Sequence, residues 1–455
     1  MELKDKKVLV YGCGKSGIGA AGLLADVGAV PILFDEKEDL DREKVLEAAG
    51  GADRASVLTG DLPDSRIAEL DLAVLSPGVP TDLPNVCRLR DHGVPIWGEV
   101  ELAYRVGRGS VCAITGTNGK TTTTSLVGAL MRAAGRDTFV VGNIGNAYTG
   151  EALKTKDDSV VVAEISSFQL ETIEEFRPHA SAILNITEDH LNRHHTMEEY
   201  IRVKELVTKN QDSSDVCVLN YEDEVLRKFG EELCPASVCW FSSAHILDNG
   251  ICLDGDEIVL REDGVSTPVI RTDELRLIGI HNYENVMAAV VLALSMGAEL
   301  PVIQDALKKF SPVRHRIEYI AEKKGVIWYN DSKGTNPDAA IRGICAMSRP
   351  TFLIGGGYDK GSDYRPWIRS FGDRVKCLVL EGKTKDDIRA AALECGFPEE
   401  KIVMKNTMDE AMIYCSEHAE AGDAVLLSPA CASWGEFPNY EVRGDRFREY
   451  VEQEI

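Results

Sequence analysis

One run of nine residues constrains the fold of this chain more than any other feature. Residues 115–123 read TGTNGKTTT, between a short apolar run at 111–114 and a helical stretch that ends near residue 134. A strand, a glycine loop, a lysine, a threonine and a helix in this order are typical of a P-loop, whose backbone N–H groups cradle phosphates. In such a loop Lys120 reaches the terminal phosphates and Thr121 offers its hydroxyl to magnesium. The loop is a variant, because the common pattern has glycine where this chain has Ile114.

A second glycine motif lies near the start of the chain. After a strand-like run at 7–11, residues 12–17 read GCGKSG and lead into a helix rich in alanine and leucine. The glycines allow a tight turn, and the helix offers free N–H groups to a phosphate. A further strand at 31–34 ends in Asp35, which can accept hydrogen bonds from ribose. A full dinucleotide fold needs about 150 residues, so one nucleotide half fits better here, and a purely structural glycine turn stays open.

Two candidate metal ligands follow predicted strands of the P-loop region. Glu164 ends the apolar run 160–163, and His190 closes the segment NITEDH at 185–190. An acidic residue at the C-terminal end of a neighbouring strand is placed to hold a metal beside a triphosphate. His190 is either a second ligand or a hydrogen-bonded structural histidine, and the pattern leaves both interpretations open.

Two helices of this region carry further candidates. Thr196 and Glu199 predict a capping box that opens a helix. Lys204 lies beside the apolar stripe of that helix, and spacing alone predicts a solvated surface lysine. Asn285 lies one turn into the apolar helix that opens near residue 280, where it can face a ligand.

The last third of the chain alternates strands with helices, which predicts a parallel sheet. Predicted strands at 326–330, 351–354, 377–380 and 424–427 are followed by polar or glycine clusters, among them 331–336, 355–360 and 428–433. These clusters fall at strand C-terminal ends, where doubly wound sheets bind ligands. Lys333 and Lys360 in these loops indicate an anionic substrate.

The predicted fold is α/β with three domains, each built on a mostly parallel sheet. We expect a Rossmann-like N-terminal domain at 1–98, a central ATPase-like P-loop domain at 99–311 and a Rossmann-like C-terminal domain at 312–455. The chain length of 455 residues fits this number of domains. Short alternating runs between residues 245 and 271 predict small additional strands.

Composition narrows the class of protein. The formal net charge of -24 disfavours a nucleic-acid partner. The 12 cysteines include no CxxC pair, which disfavours a zinc ribbon or a disulfide framework. The longest apolar run, 286–294, is about half a membrane span, and no export signal is visible. We therefore expect a cytoplasmic protein without a membrane partner.

Several further segments complete a recognisable pattern. They are EISS at 164–167, NITEDH at 185–190, HNYEN at 281–285, His315 with Arg316, DSKGTN at 331–336 and SPACAS at 428–433. Together with the P-loop, they resemble the ATP-dependent muramyl ligases of peptidoglycan synthesis over essentially the whole chain. The C-terminal segments and the N-terminal GCGKSG are most similar to the family members that add D-glutamate.

The resemblance implies a set of nucleotide, metal and substrate residues. The residues expected to bind ATP are Gly116, Thr117, Asn118, Gly119, Lys120, Thr121, Thr122, Asn285, Arg316 and Asp331. The expected ligands of two Mg²⁺ ions are Thr121, Glu164, His190 and a carbamate formed by CO₂ on Lys204, and the expected catalytic residues are Lys120, Glu164, His190 and Lys204. The residues expected to bind the UDP-linked substrate are Lys15, Ser16, Asp35, Lys37, Gly78 and Asn143. Those expected to bind D-glutamate are Lys333, Thr335, Lys360, Ser433, Trp434 and Tyr440.

The implied activity is amide-bond formation between UDP-N-acetylmuramoyl-L-alanine and D-glutamate. The substrate carboxylate attacks the γ-phosphate of ATP, and the amine of D-glutamate then displaces phosphate from the acyl phosphate. This chemistry requires neutralised phosphoryl charge and a site that excludes water. The resemblance also implies a monomer that acts in cell-wall biogenesis, and hence in cell shape and division.

Three other functions remain as alternatives to this interpretation. A dehydrogenase leaves the P-loop unexplained and needs a larger N-terminal domain. A folylpolyglutamate-type ligase shares the P-loop but does not need the N-terminal GxGxSG domain. A nucleotide-regulated binding protein without catalysis does not need Lys120, Glu164 and His190 together.

Overall fold

The chain forms two compact units. A computed structural model describes residues 2–51, 53–143, 146–311, 314–358 and 361–455. The first unit contains Met1–Ile270 and Glu284–Leu307, and the second contains Arg271–Tyr283 and Lys308–Ile455. Within the described ranges, every helix is too short or too polar to cross a membrane.

The first sheet of the first unit is parallel. Its strands are β1 (Lys7–Tyr11), β2 (Val30–Asp35), β3 (Ser56–Thr59), β4 (Leu72–Leu75) and β5 (Ile96–Gly98). They lie in the order β3-β2-β1-β4-β5. The associated helices are α1 (Lys15–Asp26), α2 (Arg42–Ala48), α3 (Asp64–Ile67), α4 (Pro84–Asp91) and α5 (Glu99–Val106).

The predicted glycine turn connects β1 to α1. Gly12 has φ 97°, a left-handed conformation that favours glycine. A Cβ atom on Gly17 would overlap the carbonyl oxygen of Gly12. Both glycines are therefore needed for α1 to start directly after β1.

The second sheet carries the P-loop. Its strands are β6 (Ser110–Thr115), β7 (Thr138–Gly142), β8 (Val160–Glu164), β9 (Ala180–Ile183), β10 (Val216–Asn220), β11 (Ser237–Ser242), β12 (Gly250–Asp254), β13 (Glu257–Glu262) and β14 (Val265–Arg271). The order is β14-β13-β12-β11-β10-β9-β6-β8-β7, parallel from β7 to β12 and antiparallel between β12 and β13. The valine-rich β8 is buried along its whole length, as is typical of a central parallel strand.

The helices that follow these strands include the one predicted after the P-loop. They are α6 (Lys120–Ala133), α7 (Tyr148–Glu151), α8 (Ser167–Leu170), α9 (Leu191–His194), α10 (Met197–Glu205), α11 (Glu224–Glu232), α12 (Ile280–Ser295) and α13 (Leu300–Lys309). Short 3-10 helices occur at Ala152–Lys154, Leu206–Thr208, Thr272–Glu274 and Glu399–Lys401.

The capping box predicted for α10 forms only in part. The Thr196 hydroxyl accepts a hydrogen bond from the Glu199 N–H at 3.1 Å, as expected. The reciprocal bond is replaced, because the Thr196 N–H donates to the His194 carbonyl and the Glu199 carboxylate accepts from Arg202. An available guanidinium is a stronger partner for a carboxylate than a backbone amide, so this part of the prediction was wrong.

The first unit has one continuous hydrophobic cluster that includes buried residues of both of its sheets. Glu101 on α5 adds a polar link to residues 174–176, the segment that precedes β9 of the second sheet. Its fully buried carboxylate accepts hydrogen bonds from the N–H groups of Glu174, Glu175 and Phe176 at 2.9, 2.9 and 3.0 Å. Arg105 donates to the same carboxylate at 2.6 Å, so the charge is paired as well as hydrogen-bonded.

The second unit contains the sheet predicted for the last third of the chain. Its strands are β15 (Glu318–Lys323), β16 (Val326–Asn330), β17 (Thr351–Gly357), β18 (Val375–Gly382), β19 (Ile402–Met404) and β20 (Ala424–Leu427). The order is β15-β16-β20-β17-β18-β19, with only the β15–β16 pair antiparallel among the described strand pairs. The helices are α14 (Pro337–Cys345), α15 (Arg365–Arg369), α16 (Lys385–Glu394), α17 (Met408–His418) and α18 (Tyr440–Gln453).

The α/β class with mostly parallel sheets is confirmed. The division at residues 98 and 311 stays a prediction, and Pro312, the first residue predicted for the C-terminal domain, lies outside the described residues. Because β20 pairs between β16 and β17, the loops after these three strands lie side by side at one edge of the sheet. This places the predicted polar clusters 331–336 and 428–433 next to each other.

Candidate active site

The P-loop is fixed by the segment that follows β9. Gly116 and Gly119 have φ 140° and 85°. The Asn118 N–H donates to the Asn185 side-chain oxygen at 2.8 Å, and the Thr117 N–H donates to the Asn185 carbonyl at 2.9 Å. The loop conformation therefore depends on a residue that is distant in sequence.

Lys120 bends back over this loop. Its Nζ donates to the carbonyl oxygens of Gly116 and Thr117, both at 2.8 Å. Lys120 begins helix α6 and follows Gly119, which caps the helix in a left-handed conformation. The lysine amine and the helix N-terminus thus lie at the same place, where a phosphate group would find both.

Lys204 is buried, so the surface position predicted from helix spacing was wrong. Its relative exposure is 2%, and its Nζ donates to the Gly116 carbonyl at 2.9 Å. Burial lowers the pKa of the Lys204 amine well below its ordinary value, and the charge of Lys120 lowers this pKa further. The amine also lies 4.6 Å from the centre of the Tyr200 ring. Helix α10 therefore directs this lysine into the P-loop region.

Glu164, at the end of β8, has an incompletely satisfied carboxylate. Its Oε1 accepts from the Asn143 side chain at 3.1 Å, whereas its buried Oε2 has no hydrogen-bond partner among the described residues. A buried carboxylate oxygen without a partner is costly. A cation bound at Oε2 would remove that cost, so the residue fits the predicted metal-ligand role.

His190 is half exposed and caps the short helix α9. Its φ is 53°, and its ring lies 5.0 Å from the ring of Phe168. Its Nε2 is 3.5 Å from the Asp189 carboxylate. In the described part of the chain, no three His, Cys, Asp or Glu side chains form a group that could hold a metal ion. The ligand role of His190 stays a prediction.

The remaining predicted ATP residues of the first unit adjoin the loop. Thr121 and Thr122 lie in the first turn of α6, with Thr122 buried. The Asn285 side-chain oxygen accepts from the Thr123 hydroxyl at 3.2 Å. A Cβ atom on Gly119 would overlap this same oxygen, so Asn285 packs directly behind the loop.

The predicted UDP-substrate residues of the first sheet gather at its C-terminal edge. Lys15 and Ser16 open α1 directly after the glycine turn. Asp35 accepts from the N–H groups of Cys13 and Lys37, both at 3.2 Å. The loop that contains Gly78 is connected to the same turn by the Ser76 hydroxyl, which donates to the Gly12 carbonyl at 3.1 Å.

In the second unit, Asp331 lies at the end of β16. Its carboxylate accepts from the Ser428 hydroxyl at 2.7 Å and from the Ile317 N–H at 3.3 Å. Burial raises the pKa of Asp331 to about 7, and the Ser428 hydrogen bond and the Arg316 charge oppose this rise. The Arg316 Nε is buried without a hydrogen-bond partner in the described ranges. These two predicted ATP residues therefore lie in one electrostatic environment.

The predicted D-glutamate residues fall at two neighbouring places in the second unit. The Lys333 Nζ lies 5.3 Å from the centre of the Tyr440 ring, and the Thr335 N–H donates to the Lys333 carbonyl at 2.9 Å. Ser433 and Trp434 line a cavity of about 340 Å³. Lys360 lies outside the described residues.

Sequence reasoning missed three residues that organise these sites. The Tyr200 hydroxyl is 3.1 Å from the Thr117 hydroxyl, and Asn185 holds the P-loop as described above. Buried Arg443 donates to the carbonyls of Ser332 and Cys431 at 2.9 and 3.1 Å, which joins the loops after β16 and β20. Asn185 gave a signal because it opens the NITEDH segment, whereas the contacts of Tyr200 and Arg443 depend on tertiary structure.

A P-loop on a parallel sheet, a buried acidic residue beside it and a separate C-terminal α/β unit define a multidomain, ATP-dependent enzyme. The chain belongs to the Mur ligase family. Three family models match it: the Mur ligase MurD-like N-terminal domain at 6–98, the Mur ligase middle domain at 114–293 and the Mur ligase glutamate ligase domain at 315–431.

Curated relatives match over the full length. The UDP-N-acetylmuramoylalanine–D-glutamate ligase of Lachnospira eligens is 52% identical over 99% of both chains. The enzyme of the same name from Clostridioides difficile is 44% identical, also over 99% of both chains.

Solved structures share the fold. UDP-N-acetylmuramate–alanine ligase MurC from Thermotoga maritima matches with a TM-score of 0.60 and 18% identity over 99% of this chain and 100% of that chain. MurF ligase from Thermotoga maritima, solved in complex with ADP, matches with a TM-score of 0.59 and 17% identity over 100% of this chain and 97% of that chain.

Proposed function

We propose that this chain is an ATP-dependent ligase that joins D-glutamate to UDP-N-acetylmuramoyl-L-alanine in peptidoglycan precursor synthesis. The observation that carries this function is the 52% identity, over 99% of both chains, to a relative named for that reaction. The P-loop geometry supports it, because Lys120 and the start of α6 provide a site for the phosphates of ATP.

The reaction proceeds in two steps. The terminal carboxylate of the UDP-linked substrate attacks the γ-phosphorus of ATP, which forms an acyl phosphate and releases ADP. The amine of D-glutamate then attacks the acyl carbon, loses a proton and expels inorganic phosphate. Positioning and charge neutralisation supply most of the catalysis in phosphoryl transfer. Lys120 contributes to both when its amine moves from the loop carbonyls to a phosphate oxygen.

Of two Mg²⁺ ions, one would be held at the Thr121 hydroxyl and the second at His190, with Glu164 near both through its Oε2, which has no partner among the described residues. When bound, Mg²⁺ supplies charge neutralisation for the phosphate oxygens. The carboxylate chemistry of Glu164 suits this hard cation. Asn143 holds the other oxygen of the same carboxylate and so orients it.

Lys204 is suited to become a carbamate. Because burial lowers the pKa of its amine, a larger fraction is neutral at physiological pH, and only the neutral amine attacks CO₂. The reaction forms one N–C bond, gives a carbamate anion and releases one proton. The anion would replace an amine beside the positive Lys120 with a carboxylate-like group, which is a suitable ligand for Mg²⁺.

The amino-acid and UDP sites complete the proposal. Ser433, the Trp434 backbone, Thr335 and Lys360 would bind the carboxylates of D-glutamate, near Lys333 and Tyr440. The edge formed by Lys15, Asp35 and Gly78, with Ser16, Lys37 and Asn143, would bind the UDP-linked substrate. We propose further that the protein acts as a monomer in the cytoplasm.

Phosphate release from ATP tests this function. The assay contains UDP-N-acetylmuramoyl-L-alanine and compares D-glutamate with L-glutamate, L-lysine, diaminopimelate and no amino acid. We expect release with D-glutamate alone. When lysine variants of the site are compared in this assay, Lys154→Ala is the matched control, since the Lys154 side chain is 63% exposed. Release with another amino acid would show that this amino acid, and not D-glutamate, is the substrate. No release with any of them would contradict the ligase activity.

A further inference from the structure

Helix α9, which follows His190, lies between two residues in strained backbone conformations, and Arg193 is one of the residues that hold it. The helix is four residues long, and the non-glycine residues at both of its ends, His190 and His195, have φ 53° and 67°. Left-handed conformations at non-glycine residues cost free energy and persist only where surrounding contacts enforce them. Arg193 lies between the two strained positions.

Arg193 forms a two-pronged, largely buried ion pair with Glu171. Its Nε and Nη2 lie 3.2 and 2.5 Å from the two Glu171 oxygens, and the two side chains are only 12% and 10% exposed. Glu171 follows α8 directly, so this pair joins α9 to α8. A bidentate pair of this kind fixes orientation as well as distance.

The same guanidinium contacts the loop of the first sheet. The Arg193 Nη2 donates to the Val79 carbonyl at 3.0 Å, one residue after Gly78. Its Cζ lies 5.1 Å from the centre of the Phe168 ring, whose centre is 5.0 Å from the ring of His190. One side chain thus contacts the loop expected to bind the UDP-linked substrate and the aromatic ring that packs against His190.

We propose that Arg193 is a positioning residue for the ligase reaction. It holds the Gly78 loop in fixed register with the His190 segment, so that the UDP-linked substrate is presented to the phosphoryl-transfer site in a reactive orientation. This inference rests on the proposed function. Arg193 need not touch substrate in this role, because it acts through the Val79 carbonyl and through α9.

Substitution separates positioning from simple structural support. Arg193→Met keeps the aliphatic stem and removes the guanidinium. We expect kcat/KM for UDP-N-acetylmuramoyl-L-alanine to fall about 100-fold, because a small displacement of the reacting groups lowers the rate by about this factor. Arg193→Lys keeps the charge but not the fork, so it should remain strongly impaired. ADP binding, measured calorimetrically without the UDP-linked substrate, should be unchanged, because the P-loop is held by Asn185 and Tyr200.

The matched control is Arg202→Met. Arg202 is 59% exposed and pairs with Glu199 within the same helix, α10, so its loss should change kcat/KM by no more than about twofold. If the wild type is active and Arg193→Met changes kcat/KM no more than Arg202→Met does, the inference is wrong.

The double variant Arg193→Met/Glu171→Gln provides the decisive comparison. Removing one partner of a buried ion pair is strongly destabilising, whereas removing both charges relieves that penalty. We expect the thermal midpoint to recover towards the wild-type value while kcat/KM stays low. Recovery of both would show a purely structural role and overturn the proposal. Wild-type protein that releases no phosphate with D-glutamate would instead refute the ligase function itself, before any variant is compared.

Discussion

Lys204→Met probes the environment of the buried amine directly. Methionine has a similar length and no charge, so it fills the same space against Tyr200 and removes only the amine. Among the described residues, the wild-type amine makes one hydrogen bond, to the Gly116 carbonyl, which also accepts from Lys120. Loss of a single hydrogen bond of this kind changes stability by only about 1 kcal/mol, so we expect the variant to fold.

The larger effect is on the pH dependence of stability. Between the lowered pKa of Lys204 and the ordinary lysine pKa of 10.5, the unfolded chain binds one more proton than the folded protein. The unfolding free energy contributed by this group therefore rises with pH, by about 1.4 kcal/mol per pH unit within that window. Lys204→Met lacks this contribution. The difference, wild type minus variant, should accordingly increase at each step from pH 7 to pH 9.

Urea unfolding followed by circular dichroism at pH 7, 8 and 9 measures this difference. The buffers must be free of CO₂, because carbamate formation would change the charge of the wild-type group. Lys154→Met is the matched control and should follow the wild-type curve at each pH. A difference between wild type and Lys204→Met that does not vary with pH would refute the argument that burial lowers the pKa of this amine.

The activity of the same variant tests the carbamate. With CO₂ present, Lys204→Met should lose phosphate release by about 100- to 1000-fold, the usual effect of removing one electrostatic stabiliser. Short carboxylic acids such as acetate or formate should restore part of the activity of Lys204→Ala, in which they have room to bind. Activity of Lys204→Met within tenfold of wild type would exclude a required carbamate.

Three further substitutions test the nucleotide and metal sites. Lys120→Ala should abolish ATP-dependent phosphate release because phosphate positioning is lost, and near-normal release would refute the P-loop assignment. Glu164→Gln should raise the Mg²⁺ concentration needed for half-maximal activity, measured by magnesium titration, whereas an unchanged requirement would remove Glu164 from the metal site. Asp331→Asn should gain stability relative to wild type as pH rises from 6 to 8. The reason is that, between the ordinary pKa of 3.8 and the raised pKa of about 7, the folded wild type binds more protons than the unfolded chain, so its unfolding free energy falls as pH rises towards 7 and levels off once the folded carboxyl has ionised. Urea unfolding at each pH checks this, and a constant difference would contradict it.

Several buried parallel strands were predicted from their uninterrupted apolar runs. The boundaries of β1, β16 and β20 were predicted without error, because hydrophobic runs and following polar clusters mark both ends. Strands β3, β7, β10, β11, β15 and β19 were not predicted. The antiparallel edge strand β15 carries charged residues at its ends, and β19 is three residues long, so neither has a distinct pattern.

The candidate site was predictable where one local motif carries the chemistry. The glycine loop with Lys120 is contiguous in sequence, so its position between β6 and α6 followed from its pattern. The burial of Lys204 was not predictable from spacing, because the Gly116 carbonyl that accepts its hydrogen bond is 88 residues away in the chain. The role of Arg193 was not predictable for the same reason, because its partners Val79 and Glu171 are 114 and 22 residues away.

The carboxylate of Glu101 has a consequence for the dynamics of the first unit. The N–H groups of residues 174–176 belong to a connecting segment, where amides normally exchange with deuterium quickly. Here they donate to a fully buried anion that is also paired with Arg105, so they open only when α5 separates from this segment. Their deuterium uptake therefore reports on the cohesion between the two sheets of this unit, in a stretch where hydrogen exchange would otherwise give no information.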